Sequence, residues 1–389
     1  MNFVNKNLPI YIFFIFCLFY NLSFFDINLK NILRITAFLI IFIYYFLCII
    51  IEKNIYKRSY SEYILVVIGL LFIIILQFVY GKVTSTSISK YIDIYALFFI
   101  VIIISDYMSK KISLYKLLEI IKVSCCIPII TSFIVKPNNL EYSRDLFGEV
   151  RIRYKGLFAH PNHLGAMCLV TLIICVILIV KYKKKNNYLM IILIILPMYL
   201  SQSRTSIIIF CIFYILVFGY TLFYRINSKQ NKVRIIMLLC FLVISICYIL
   251  FMNNNIIDLD YINKLTSGRV ISIIMLMKSN ISPFIGQGPI SNNIIIFIFG
   301  KAIDSSLAIV YYQLGIFGLI LFYGNLLRVG VISSHNTTNK ILIKSLIIIF
   351  IAYSSLENIM TNLVSIFGIY ILIIIYCLYL DKIEKENYI

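Results

Sequence analysis

The sequence has no tryptophan, three histidines and 16 acidic residues, and its charged fraction is only 13%. A soluble domain keeps roughly a quarter of its residues charged, so a water-soluble globular fold is excluded. His160 and His163 stand three apart with no third ligand in the pattern, and His335 lies in a basic loop, which leaves no zinc site to read. CxxC and CxH spacings are absent. The ten cysteines all lie in apolar segments and read as small buried hydrophobes rather than disulfides or metal ligands. No Ser-His-Asp logic emerges, and no cofactor is implied. The turn Gly286-Gln287-Gly288-Pro289 lacks the lysine and hydroxyl residue of a P-loop. No repeat and no low-complexity linker divides the chain, so 1–389 is expected to be one domain.

What fills the sequence instead is apolar. It is 62% hydrophobic with a mean hydropathy of +0.98. Crossing a hydrocarbon core takes about 20 apolar helical residues, and only helices or closed barrels can cross, because every backbone polar group must be satisfied internally. The apolar runs do not alternate with period two, which excludes a barrel. The expected fold is therefore all-α and integral to a membrane. About twelve transmembrane helices are expected, near 8–25, 32–51, 63–80, 91–107, 114–135, 163–180, 187–201, 205–224, 234–252, 305–327, 339–357 and 360–380. The first apolar stretch has no small-residue cleavage site after it and is expected to be a retained span. The seventh is short, and Pro197 is placed to kink it.

The formal charge of +19 does not indicate nucleic acid, because basic residues collect in the cytoplasmic loops of membrane proteins. Alternate loops are rich in cations: Lys53, Lys57 and Arg58; Lys110, Lys111 and Lys116; four lysines in 181–185; Arg225, Lys229, Lys232 and Arg234; Arg328, Lys340 and Lys344. That set is expected in the cytoplasm, together with both termini. Two loops on the other side break the thin pattern. Residues 136–162 carry Lys136, Arg144, Arg151, Arg153 and Lys155, and residues 253–304 carry Lys264, Arg269, Lys278 and Lys301. Long loops translocate largely regardless of charge, and an anionic substrate would also require cations; composition leaves both open. The 253–304 loop contains apolar pieces at 270–277 and 294–299, too short to span. They read as interfacial or re-entrant helices over a cavity.

Four constellations stand out. In 155–166, Gly156 and Pro161 punctuate the start of the sixth span, Asn162 is a candidate helix N-cap, and Gly165 and Ala166 permit close helix approach. Ser201-Gln202-Ser203-Arg204-Thr205-Ser206 joins two spans with almost no loop. An arginine there either snorkels to the interface or serves an aqueous anion site. Ser267-Gly268-Arg269 precedes a short apolar helix and then the turn at 280–289, and a helix N-terminus with an arginine suits an anion. Asp304-Ser305-Ser306 opens the tenth span, where Asp304 is a cap, an ion-pair partner or a base, and Gly315 and Gly318 follow as a small-residue face.

In this order the four pieces resemble the O-antigen ligase and polysaccharide polymerase superfamily. The resemblance is carried by Gly156, Phe158, Pro161, Asn162 and Gly165; by Ser201, Ser203 and Arg204; and by Arg269, Asn280, Pro283, Gly286 and Gly288. It covers about 155–320, and Ile281 and Ser282 separate the Asn from the Pro of the family's turn. Ligases of the superfamily carry a histidine before the span after the large loop, where this chain has Asp304-Ser305-Ser306. That favours the polymerase branch. The heavy use of Ile, Asn, Lys and Tyr fits an AT-rich bacterial genome.

The resemblance implies glycosyl transfer on the outer face of the bacterial cytoplasmic membrane. Undecaprenyl-diphosphate-linked oligosaccharide would be the substrate, and a flippase and chain-length regulators the protein partners. It makes Arg204 and Arg269 the diphosphate clamps, Asp304 a candidate base beside Asp258, Asp260 and Glu149, and Arg151, Arg153, Asn162, His163 and Ser203 the substrate-binding set. The alternatives are a ligase acting on finished glycan and a transporter or flippase for the same lipid.

Overall fold

The computed structural model describes residues 8–20, 22–26, 60–80, 112–136, 138–144, 150–225, 282–288, 305–332, 337–357 and 366–386, with scattered positions in 29–47 and 101–109 and residue 274. Arg269, Asp304, Asp258, Asp260, Glu149, His335 and the apolar piece at 294–299 lie outside them, as do nearly all of 270–277 and most of the spans expected at 32–51, 91–107 and 234–252.

The described chain is mostly helical: α1 (Leu8–Tyr20), α2 (Tyr60–Val79), α3 (Leu114–Val135), α4 (Pro161–Tyr182), α5 (Asn187–Leu200), α6 (Arg204–Arg225), α7 (Ser306–Leu319), a π-helical turn Ile320–Gly324, α8 (Asn325–Ile332), α9 (Thr337–Leu356) and α10 (Ile366–Glu386). Five stretches among the described residues are long and apolar enough to cross a membrane: α3, α4, most of α6, the run Ser306–Ile332, and α9. The mostly helical content is compatible with the all-α expectation; the expected external loop 136–162 holds an antiparallel hairpin of β1 (Leu140–Arg144) and β2 (Val150–Tyr154).

Helix α4 is the axis. It packs against α3, α5, α6 and α10, and 83% of its apolar window is buried, against 33% for α6. A helix that is apolar all round belongs at the centre of a bundle. The other helices turn apolar residues outward. On α3, Val123, Ile127, Ile130 and Ile134 are exposed at spacings of three and four, one continuous stripe. In water such a stripe is a liability, whereas facing lipid it is matched to its solvent. With 22 residues at 1.5 Å each, α4 is about 33 Å long, close to the hydrocarbon thickness.

The bundle has two unlike ends. At one, Lys184 lies over the Tyr115 ring and Tyr115 meets Tyr182 edge-on, while Thr337, Thr338 and Ile341 of α9 share a cavity with Lys183 and Lys185. The lysine-rich segments near 116, 181–185 and 337–344 therefore gather together. At the other end lie the hairpin, the start of α4, the α5–α6 turn, the start of α7 and the end of α9.

Helix α7 is broken. Gly315 adopts φ 65°, ψ −163° inside it, a combination essentially confined to glycine. The break frees backbone groups that lipid could not satisfy, and the 282–288 turn supplies their partners. The Gln287 and Gly288 amides donate to the Tyr312 and Gln313 carbonyls at 2.8 and 3.0 Å, and the Ile316 and Phe317 amides donate to Pro283 and Phe284 at 2.9 and 3.2 Å. From α2, the buried Gln77 amide nitrogen donates to the Gln313 carbonyl at 2.7 Å and to the Ile285 carbonyl. Gly286 and Gly288 have positive φ (71° and 85°), as the turn requires. Gly315 is thus the seat of the turn: a Cβ there would stand 2.3 Å from the Phe284 oxygen.

Candidate functional site

The hairpin end is organised by short polar contacts. In α3, Ser132 Oγ donates to the Pro128 carbonyl at 2.7 Å and accepts from the Leu157 amide at 3.1 Å. Gly156, at φ 55°, lies so close that a Cβ would meet Ser132 Cβ at 2.5 Å. The Leu157 carbonyl in turn accepts from the Ser23 amide, beyond α1, at 2.8 Å. Residues 155–158 are thereby pinned to α1 and α3. From β2, Tyr154 stacks on Phe133 and donates to the Lys136 carbonyl at 3.2 Å. Burial raises its phenol pKa above the usual tyrosine value, so it remains a donor.

Helix α4 then starts with Pro161 at its first position, and its cap is His160: the imidazole Nδ1 accepts from the Asn162 amide at 3.1 Å. This corrects the expectation that Asn162 caps the helix. Proline fits the first turn, where its missing N–H is no loss, and that places the cap one residue before it. An Nδ1 that accepts leaves the proton of a neutral ring on Nε2, and Nε2 lies 3.6 Å from Glu141 Oε1 of β1. The His163 ring is 6.2 Å from that of His160, and His163 is half-buried.

Asn162 instead receives Arg153. The guanidinium donates to Asn162 Oδ1 at 2.5 Å and, through Nε, to the Ser201 carbonyl at 3.1 Å. Gln202, at φ 49°, reverses the chain between α5 and α6 and donates to the Ile152 carbonyl at 3.1 Å. The hairpin, the α4 start and the α5–α6 turn are stapled together by one arginine and one glutamine. Close approach of the helices comes from Gly165, where a Cβ would stand 2.4 Å from Ser203 Cβ.

Arg204 begins α6 with its side chain exposed at the mouth of this cluster. Ser203 Oγ and Ser206 Oγ share a hydrogen bond at 2.9 Å, Ser201 Oγ donates to Met198 at 2.7 Å, and Thr205 Oγ1 donates to Glu357 Oε1 at 3.2 Å. These hydroxyl groups tie helices together, and the Arg204 side chain is exposed beside them. Arg151 faces Ser143 across the hairpin register.

Asp304 lies outside the described residues, but the cap of α7 is Ser305, whose Oγ accepts from the Ala308 amide at 3.2 Å. That takes the capping role considered for Asp304. Ser306 donates through its hydroxyl to the Glu357 carbonyl at 3.0 Å. Glu357 was missed in the sequence, although a signal existed: it is the only acidic residue between Asp304 and Asp381, at the boundary of an expected span.

The structure thus brings Arg153, Asn162, His163, Ser203 and Arg204 to one end of the bundle and adds His160, Glu141, Gln202 and Glu357. Compared with models of known families and with curated proteins, the chain shows no match.

Proposed function

We propose that this chain is a bacterial cell-surface polysaccharide polymerase. It would join undecaprenyl-diphosphate-linked repeat units by glycosyl transfer at the outer face of the cytoplasmic membrane, with about twelve spans and both termini inside. The supporting observation is convergence. The Gly156–Ala166 and Ser201–Arg204 motifs and the start of α7, far apart in sequence, meet at the bundle end away from the clustered lysines.

The donor's leaving group is a lipid diphosphate. Catalysis requires holding the charge that develops on it as the anomeric bond breaks. Arg204 is presented for this purpose at the mouth of the cluster, where a guanidinium makes paired, planar contacts to phosphate oxygens. Arg269 is its proposed partner in the large loop. Arg153 holds the floor of the site in place.

A strain lacking the protein tests the reading. Single repeat units should still be made and exported but not lengthened, as seen by gel profiles of surface glycan and mass spectrometry of extracted carrier lipid. Long polymer still on the carrier would mean a ligase. Single units trapped on the inner leaflet would mean a flippase, a reading to which the broken α7 lends some weight, since discontinuous helices form transporter sites.

A further inference from the structure

The lysine end of the bundle holds a cavity of about 650 Å³ between the end of α4, the start of α5, the last turns of α6 and the start of α9. The lysines of this end do not share one role. Lys181 lies over the Tyr182 ring and Lys184 over the Tyr115 ring, whereas Lys183 and Lys185 line the cavity. Lys183 Nζ donates to the Val180 carbonyl at 3.1 Å, which uses one donor of an ammonium group that has more to give. No carboxylate stands among the described residues that line the cavity. Tyr188 and Thr337 bring hydroxyl groups to its wall, and Phe218 and Ile341 make another side apolar. From Tyr188, exposed apolar side chains continue along α5 at Ile192 and Leu196, one every four residues, so they form a single stripe on the outside of the bundle. The general collection of lysines on the cytoplasmic side explains their presence at this end. It does not explain a cavity that receives two of them beside hydroxyl groups, an apolar wall and an apolar stripe.

We propose that this cavity is a binding site for the head of an anionic phospholipid. The phosphate lies against Lys183 and Lys185, the hydroxyls of Tyr188 and Thr337 donate to its oxygens, and an acyl chain follows Tyr188, Ile192 and Leu196 along α5. The volume falls within the roughly 300–1,000 Å³ of small-molecule sites. Basic pockets between membrane helices at the cytoplasmic side suit lipid heads of this charge. A soluble anion would meet the lysines but leave the apolar wall and the stripe in contact with nothing of its own. A zwitterionic lipid would use the stripe but bring a cation of its own against the two ammonium groups. The occupant that uses both is a lipid with a net negative head. Such a lipid fastens α4, α5, α6 and α9 together at one end, and because it binds only the folded bundle it stabilises it. The inference goes beyond the polymerase reading and does not depend on it: it requires only that the bundle sit in a bilayer.

The full-length protein in detergent, titrated with phosphatidylglycerol, provides the test, with the thermal midpoint and native mass spectrometry of retained lipid as readouts. Phosphatidylglycerol should raise the midpoint and stay bound, and phosphatidylcholine with the same chains should bind at least about fivefold more weakly. Lys183→Gln combined with Lys185→Gln should leave the lipid-free midpoint unchanged, because both side chains are exposed. It should weaken phosphatidylglycerol binding about twentyfold, at roughly fivefold per cation. Lys116→Gln combined with Lys344→Gln removes the same charge from exposed positions outside this cavity and should bind close to normally. An equal loss in that control pair would mean a diffuse attraction and would overturn the site. Equal affinity for phosphatidylcholine overturns it as well. Inorganic phosphate raising the midpoint as much as phosphatidylglycerol at the same concentration would make this a site for soluble anions and overturn the lipid as its occupant. The polymerase reading stands or falls separately, on the surface glycan of the strain lacking the protein.

Discussion

Two arginines at the mouth of the bundle do different work. Arg153 is half-buried, and its fork ties Asn162 Oδ1 to the Ser201 carbonyl. Arg204, on the next turn of chain, is exposed. Their substitutions should therefore separate stability from activity. Arg153→Lys keeps the charge but loses the planar pair of donors. It should lower stability by about 1–3 kcal/mol, the scale of a hydrogen bond to a charged group, read as a lower thermal midpoint in detergent. Asn162→Ala should cost a similar amount, and the double variant less than the two together, because both remove one contact. Additive losses would mean that the two side chains do not act through each other. Arg204→Lys should leave the midpoint unchanged and reduce polymer formation on the order of a hundredfold, from roughly 2–4 kcal/mol of lost charge stabilisation in the transition state. Arg225→Lys, at the far end of α6, is the control and should be silent. Near-normal polymer from Arg204→Lys would remove Arg204 from the site.

At the scale of elements, the break in α7 sets the geometry behind the mouth. Gly315→Ala puts a Cβ 2.3 Å from the Phe284 oxygen at φ 65°, a backbone atom that cannot swing away. A cost of at least about 1–3 kcal/mol is expected from the backbone conformation alone. Gly324→Ala is the matched comparison, since its Cβ would meet Ile320 Cγ2 at an ordinary 3.7 Å and alanine favours helix. Thermal midpoints of the two variants should differ by several degrees, and equal midpoints would mean that the 282–288 turn does not hold α7 as described. The same elements show what a sequence reveals and what it hides. The apolar runs behind α3, α4, α6 and α9 are legible because hydropathy is a local property. The hairpin at 140–154 is not, because its pattern is short, charged and stabilised by contacts to α3 and the α5–α6 turn. Ser305 rather than Asp304, and His160 rather than Asn162, cap their helices. Caps depend on which residue first turns helical, a difference of one or two positions that composition cannot resolve. Gly286 and Gly315 were visible as glycines, but their fit to each other spans the large loop. Glu357 acquires meaning only when α6 and α7 close on it.

Over the whole molecule, the asymmetry between the ends makes orientation a direct test of the reading. Lysines 183, 184 and 185 are exposed at one end, and Gln202 and Arg204 are exposed at the other. Moving a cluster of cations across the membrane during insertion is disfavoured, so the lysine end should remain in the cytoplasm. The hairpin end should then face outward despite Lys136, Arg151, Arg153 and Lys155: long segments translocate largely regardless of charge, and Arg153 is tied to Asn162 and Ser201 in the folded structure. Single cysteines placed at 183 and at 202, on a background with the ten native cysteines replaced, distinguish the two orientations. Both positions are exposed in the folded protein, so a lack of labelling reports sidedness and not burial. An impermeant thiol reagent applied to intact cells should label 202 and leave 183 untouched, and 183 should become reactive once the membrane is permeabilised. Labelling at 183 in intact cells would place Arg204 in the cytoplasm. There it could not act on exported carrier lipid, and the assignment to surface polymerisation would fall whatever the fold.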